Sequence, residues 1–187
     1  MIILASASPR RKTLLRKAGV RFRVEPSRAH ERTELKHPSA IVRQLALRKA
    51  LETARRFPGL PVLGADTIVV CKGRILGKPT SKKNALERLE LENGSWQKVY
   101  TGVAAVWLEK NRREIAYAVS RCKARKLTRE QLLYYAGRHM DKAGAYAVQD
   151  GEDPFIDRIE GGYDNVVGLP VALALKLLRK IGAGKLL

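Results

Sequence analysis

Apolar and polar positions follow two periods along this chain, and the places where the period changes mark its elements. Ile2 to Ala5 is a continuous apolar run of strand length. Ser6-Ala7-Ser8-Pro9 then turns the chain into a helix, with Ser8 at the N-cap and Pro9 at the first helical position. That helix carries Leu14, Leu15 and Ala18 inward and stops at Gly19. From Pro38 and Ser39 to about Phe57, the set Ile41, Val42, Leu45, Ala46 and Ala50 has a period of about 3.6 and predicts a longer helix. Pro61 to Ala65 and Thr67 to Cys71 read as β-type runs with Asp66 between them, and Lys72-Gly73 as a tight turn into Ile75. A helix is expected from Ser81 to about Glu92, closed by Asn93-Gly94. Val99 to Leu108 and Glu114 to Lys126 predict a long hairpin around Lys110-Asn111.

Thr128-Arg129-Glu130-Gln131 has capping-box spacing ahead of Leu132, Leu133 and Ala136, with Gly137 at the helix end. Short strands near Ala145 to Val148 and Phe155 to Ile159 precede a loop, and Pro170 to Ile181 forms a last helix closed by Gly182. Helices and strands alternate, so the expected class is α/β with a mixed sheet. With 187 residues, no repeat and no Pro- or Ser/Gly-rich linker, the expectation is a single domain over residues 1–187.

Composition removes several classes. Hydrophobic residues at 45% and charged residues at 29% exclude global disorder and low complexity. No apolar window approaches the ~18 residues of a spanning helix. The apolar N-terminus is followed by Arg10, Arg11 and Lys12, the reverse of a secretory signal, which predicts a cytoplasmic protein. Cys71 and Cys122 are too few for a disulfide framework and lack zinc-site spacing, so they read as buried, reduced packing residues.

Charge is the extreme value: 37 Lys plus Arg against 18 Asp plus Glu, a formal net charge of +19. An anionic partner is expected, either a nucleic acid, a membrane surface or a phosphorylated small molecule. Basic residues are spread in pairs such as Arg55-Arg56 and Lys82-Lys83, with no block of five or six, a pattern usual for solvated surfaces.

Familiar catalytic motifs are missing. Gly182-Ala183-Gly184-Lys185 is not a P-loop, because Leu186 stands where Ser or Thr should hold magnesium and Arg179 at the first glycine. No GxGxxG follows a strand, and neither HExxH nor GxSxG occurs. Asn93-Gly94-Ser95 reads as a turn.

Four segments carry candidate chemistry. Ala5 to Arg11 joins small residues, a helix N-terminus and two arginines, either an oligophosphate site or an ordinary capped helix. Asp66 lies after one apolar strand and before another; buried unpaired it would cost several kcal/mol, so it is either a turn residue or partnered by a metal or cation. Gly77-Lys78-Pro79 is a rigid turn that would present a lysine to phosphate. Asp141 to Gln149 and Glu160 to Pro170 are glycine-containing segments that form either a pocket rim or plain turns, and the Gln149 amide can both donate and accept.

Together, SASPRR at Ser6 to Arg11, LALRKA at Leu45 to Ala50, GADTIV at Gly64 to Val69, GKP at Gly77 to Pro79, DKAGAYAVQ at Asp141 to Gln149 and NVVGLP at Asn165 to Pro170 resemble the Maf family of nucleoside triphosphate pyrophosphatases. The resemblance implies an ITPase-like fold, with an elongated twisted mixed sheet and two lobes flanking a central cleft, often as a homodimer. It implies hydrolysis of a nucleoside triphosphate to the monophosphate and pyrophosphate with a divalent metal such as Mg, Mn or Co. The dTTP/UTP branch is the one most resembled, since its specificity positions match Arg10, Thr67 and Gln149; a sister branch acting on 7-methyl-GTP has Trp, Gln and Glu there. Asp66 corresponds to the family's general base, and either accepts a proton from a metal-polarised water or binds the metal itself. Ser8, Arg11, Lys49 and Lys78 are the matched phosphate-binding positions. The family usually has an Asp-Glu pair near the end of its second strand; this chain has Ala29-His30-Glu31, so Glu31 alone keeps a carboxylate to join Asp66 at the metal.

The competing reading is a basic nucleic-acid-binding or cell-division regulatory protein without hydrolytic activity. Its support is the net charge. Against it stand only 11 aromatic residues (2 Trp, 6 Tyr and 3 Phe) and no groove-reading motif. No specific nucleic acid and no membrane is therefore expected as a partner.

Overall fold

The computed structural model describes residues 1–138, 140, 144 and 155–187. The expected Ala145 to Val148 strand and Gln149 lie outside them. Among the described residues the chain forms a seven-stranded mixed sheet with helices, the expected α/β class. In chain order the elements are β1 (Ile2–Leu4), α1 (Pro9–Lys17), β2 (Phe22–Val24), α2 (Pro38–Arg56), β3 (Val62–Cys71), β4 (Arg74–Leu76), α3 (Lys82–Glu92), β5 (Trp96–Trp107), β6 (Arg112–Ala124), α4 (Arg129–Tyr135), β7 (Ile156–Glu160), α5 (Tyr163–Val167) and α6 (Val171–Lys180). The sheet order is β2-β1-β3-β5-β6-β7, with β4 paired to β3. β1 is parallel to both β2 and β3, whereas β4 on β3 and β7 on β6 are antiparallel. No helix among the described residues is long and apolar enough to cross a membrane.

Two compact units result. The first comprises Met1–Asp66, Thr101–Ala118 and Val167–Leu187. Its sheet is covered by two apolar clusters. In one, Ile2, Leu4, Leu63, Ala65, Val103 and Ala105 meet Leu15 of α1 and Ala174, Leu177 and Leu178 of α6. In the other, Ile3, Ala5, Val62, Ala104 and Val106 meet Ala46, Ala50 and Ala54 of α2. Successive strand residues go to opposite clusters, as the pleat requires, so both faces of these strands are buried and their sequences read as unbroken apolar runs. Each fully buried Leu or Ile contributes roughly 1.5–3 kcal/mol.

The second unit comprises Thr67–Tyr100 and Val119–Val166. Val69, Cys71, Leu76, Val99 and Cys122 form one of its clusters; Ala85, Leu89, Ala124, Leu132 and Phe155 form the other. Both cysteines are buried and free, as expected of packing residues. Burial raises the Cys71 thiol pKa, and Glu92 adds to the rise while Lys72 opposes it.

Several expectations are corrected. Ser8 precedes α1, but its side chain makes no cap bond. Ala18 is exposed rather than inward, because α1 ends at Lys17 and Ala18 is already the non-helical C-cap ahead of Gly19. β3 is one continuous strand in which Asp66 is an interior residue, not a break between two runs. The apolar pattern did not mark β2 and placed a loop at α5; three and five residues are too few to show a period. The Lys72-Gly73 turn has φ of 47° and 75°, the two positive values of a type I′ hairpin. α4 carries the expected capping box between Thr128 and Gln131.

Candidate active site

Helix α2 and the sheet of the first unit approach unusually closely, and two glycines permit it. A Cβ on Gly64 would overlap the Ala46 carbonyl and Ala50, and one on Gly102 would overlap the Val42 carbonyl. Gly64 and Asp66 point to the same face of β3, two residues apart. Lys49 precedes Ala50 on α2, so the contact that seats Ala50 on Gly64 also delivers the lysine to Asp66. Its Nζ donates to Asp66 Oδ1 at 2.7 Å. The same ammonium lies 2.6 Å from Glu31 Oε1. Asp66 is buried and Lys49 half-buried, with side chains 10% and 14% exposed, whereas Glu31 is 59% exposed. Asp66 thus has a cation as partner, which resolves the two readings its sequence position allowed.

Glu31 belongs to an irregular stretch between β2 and α2, yet it is held firmly. Arg48, next to Lys49, donates through Nη1 to the His30 carbonyl at 3.0 Å and the Arg32 carbonyl at 2.7 Å, so the carbonyls of the residues on either side of Glu31 are tied to α2. Thr33 donates to Gln44 at 2.6 Å, and the Arg28 amide donates to Glu52 at 2.9 Å. Burial raises the Glu52 pKa, but the Arg28 amide, the Ser27 hydroxyl and Arg56 more than offset this, and the net shift is downward.

Arg11 ties three motifs together. Its Nε donates to the Gly168 carbonyl at 2.8 Å, and its Nη1 to the Ala65 carbonyl at 2.9 Å and to Ser6 Oγ at 3.1 Å. Ala65 immediately precedes Asp66, so Arg11 fixes the strand from which the carboxylate projects. Ser6 Oγ also accepts from the Ser8 amide at 3.3 Å, which shapes the turn into α1. Burial lowers the Arg11 pKa; Asp66 opposes this, Arg10 adds to it and Glu31 opposes it. The guanidinium remains charged, since its ordinary pKa is far above neutrality.

Among the residues expected at the site, Arg11, Lys49, Asp66 and Glu31 are joined by these contacts within the first unit, which also holds Ser8 and Arg10 on the β1–α1 connection. Thr67, half-buried, is the next residue of β3 and begins the second unit, to which Lys78 belongs as an exposed residue after β4. Gln149 lies outside the described residues. Sequence reasoning missed Ser6, Arg48 and Gly168, although each sits inside a quoted motif; their roles depend on tertiary partners 5 to 157 residues away.

Two carboxylates thus converge on one lysine ammonium, beside an arginine and the N-terminal turn of a helix, in an α/β protein. Comparison with known sequences makes the assignment specific. The chain belongs to the Maf family, whose Maf-like protein model matches residues 1–181. A protein of Elusimicrobium minutum named dTTP/UTP pyrophosphatase is 50% identical over 181 residues, covering 97% of this chain and 98% of its own. Proteins of the same name from Gloeobacter violaceus and Moorella thermoacetica are 44% and 43% identical, covering 95% and 97% of this chain and 94% and 95% of their own.

Proposed function

We propose that this protein is a nucleoside triphosphate pyrophosphatase that hydrolyses dTTP and UTP to the monophosphate and pyrophosphate, a house-cleaning activity carried by a single domain over residues 1–187. The observation that carries the reading is the 50% identity, over nearly the full length of both chains, to a protein of that name. CTP and modified pyrimidine nucleotides are further substrates to test. The competing binding-protein reading gives no account of a buried carboxylate paired with a lysine and fixed by an arginine.

The site's geometry supports a division of roles. A triphosphate carries about four negative charges, so its tail needs cations and hydrogen-bond donors. Arg11 and Lys49, with the Ser8 hydroxyl and the amides at the start of α1, would bind it, and Lys78 would add a further point charge. Asp66 and Glu31 fit a divalent ion such as Mg, Mn or Co: both are hard oxygen donors, and both already converge on one cation, the Lys49 ammonium. Such an ion, when bound, would neutralise phosphate charge and acidify water. Asp66 Oδ1 accepts from Lys49, which would leave Oδ2 to hold the ion or to accept the proton of the attacking water. Water attacks the α-phosphorus, the α–β phosphoanhydride bond breaks, and pyrophosphate leaves with the bridging oxygen. Charge stabilisation is the main demand of this step.

Base choice is assigned to Arg10, Thr67 and Gln149. A uracil or thymine edge presents acceptor, donor, acceptor, and this set can supply two donors and one acceptor. The two free, buried cysteines accord with a reducing compartment such as the cytoplasm. A homodimer follows from the family resemblance and calls for measurement by light scattering.

A panel of UTP, dTTP, CTP, GTP and ATP with magnesium or manganese, assayed for pyrophosphate release, tests the reading. UTP and dTTP should lead, and Asp66→Asn should abolish nearly all turnover in a folded protein. Release of orthophosphate, or wild-type rates in Asp66→Asn, would contradict it. Gln149→Glu should change the ratio among the bases; an unchanged ratio would place base selection elsewhere.

A further inference from the structure

The second unit carries a cationic and aromatic pocket that none of the quoted motifs supplies. Along β3 and β5 the residues that face its core are Val69, Cys71 and Val99, with Cys122 of β6. By the two-residue period of a strand, Val70, and likewise Trp96, Lys98 and Tyr100, lie on the opposite face, and Lys72 follows in the turn after β3. These five residues and Arg121, the neighbour of Cys122, line a pocket of about 290 Å³. That volume is just below the ~300–1,000 Å³ usual for small-molecule sites.

The charge around it is unbalanced. The Arg121, Arg158 and Lys123 cations lie 4.5, 4.9 and 5.9 Å from the Trp96 ring centroid. Glu160 is shared by Arg121 and Arg158, at 3.1 Å each. Among the described residues Lys72 and Lys98 have no carboxylate partner. Three cations therefore stand around one indole and two more line the pocket, with Glu160 the single carboxylate paired to any of them among the described residues. Lys72 is exposed in the β3–β4 turn, where its backbone has positive φ. A second copy of this chain is a poor occupant, because a two-fold interface would set these cations against themselves.

We propose that this pocket binds a free nucleotide, the base stacked against Trp96 and Tyr100 and the phosphate held by Lys72, Lys98 and Arg121. An aromatic ring and an anionic group on one small molecule are what the two kinds of wall select. Stacking is tolerant of base identity because every base offers a π-face. The pocket therefore takes purine and pyrimidine nucleotides alike, unlike a site that reads the base edge.

The test uses nucleoside monophosphates, which have no α–β bond to hydrolyse. The chain has two tryptophans, so Trp107→Phe leaves Trp96 as the reporting indole. UMP and AMP should each quench its emission saturably, with Kd values within about threefold of one another. Lys98→Glu and Arg121→Glu should each weaken binding on the order of tenfold or more. UTP turnover by the same variants should keep the wild-type KM, which also shows that they fold. The proposal is overturned by no quenching at several millimolar nucleotide or by equal affinity in the charge-reversed variants. It is overturned too by pyrophosphate that displaces UMP as well as AMP does, which would mean that the base is not read. Binding of oligothymidylate without binding of mononucleotides would assign the surface to single strands instead. If UTP turnover is absent in the parent protein, the hydrolytic reading fails while the Trp96 titration still decides this one.

Discussion

Lys49 is the residue on which the candidate active site turns, because one ammonium satisfies a buried carboxylate and an exposed one at once. Lys49→Met removes that cation while keeping much of the stem's volume, and leaves Asp66 buried without a partner. Breaking a buried pair from one side costs about 3–5 kcal/mol, less here because Glu31 is solvated and Asp66 is not fully enclosed. The expected result is a loss of roughly 1–3 kcal/mol in urea unfolding, with turnover down a hundredfold or more; wild-type values in both would remove the lysine from the mechanism. A different carboxylate, Glu92 of α3, has no such partner among the described residues. Both of its oxygens are buried without a hydrogen bond, and burial raises its pKa well above the ordinary 4.5, with Arg88 opposing. The folded state therefore holds this proton more tightly than the unfolded chain. Its effect on stability is unfavourable above the ordinary glutamate pKa and grows as pH rises towards the raised value. Glu92→Gln should leave stability unchanged near pH 4 and raise it by about 1–3 kcal/mol at pH 8, measured by denaturation at the two pH values. Of these residues, Asp66 was legible in the sequence because a carboxylate inside an apolar run needs a partner. Ser6, Arg48 and Gly168 were not, since Arg48 and Gly168 act through backbone carbonyls and Ser6 as an acceptor for Arg11, contacts that no side-chain pattern marks.

Between elements, the α2–sheet contact decides where the chemistry sits. Gly64 and Gly102 are the points at which the helix backbone comes closest, and either Cβ would meet main-chain atoms that cannot swing aside. Overpacking of this kind costs about 1–3 kcal/mol or more. Gly102→Ala, remote in sequence from every motif quoted above, should lower the melting temperature and also reduce turnover, because it lifts the helix that carries Lys49 and Arg48. Gly64→Ala should do the same more severely for activity, being two residues from Asp66. A Gly102→Ala protein with reduced stability but unaltered kcat would show that the spacing serves packing alone. The long elements were readable from their periods and caps: α2, α3, α4, α6 and the β5–β6 hairpin all stand close to their expected bounds. The continuity of β3 was not. Period and composition treat Asp66 as an interruption, and only its bond to Lys49, 17 residues earlier, removes the cost of leaving it inside a strand.

At the scale of the whole molecule, neither unit is continuous in sequence: the chain passes from one to the other within β3, β5, β6 and α5, so no linker or change of composition marks the division. Net charge, by contrast, is plain in the sequence, although its placement is not. Nineteen excess positive charges attract a substrate carrying about four negative ones, which raises the rate of encounter. Contacts made by half-buried groups such as Arg11 and Lys49 are screened less by salt than dispersed surface charge, which is screened over about 8 Å at physiological ionic strength. The two contributions therefore separate in a salt series. Between ~0.02 and ~0.5 M potassium chloride, at fixed free magnesium, kcat/KM for UTP should fall several-fold while kcat changes little, because encounter weakens and the bound complex does not. A proportional fall in kcat would instead place salt-sensitive contacts in the transition state. A kcat/KM independent of salt would mean that the surface charge has no part in capturing the triphosphate.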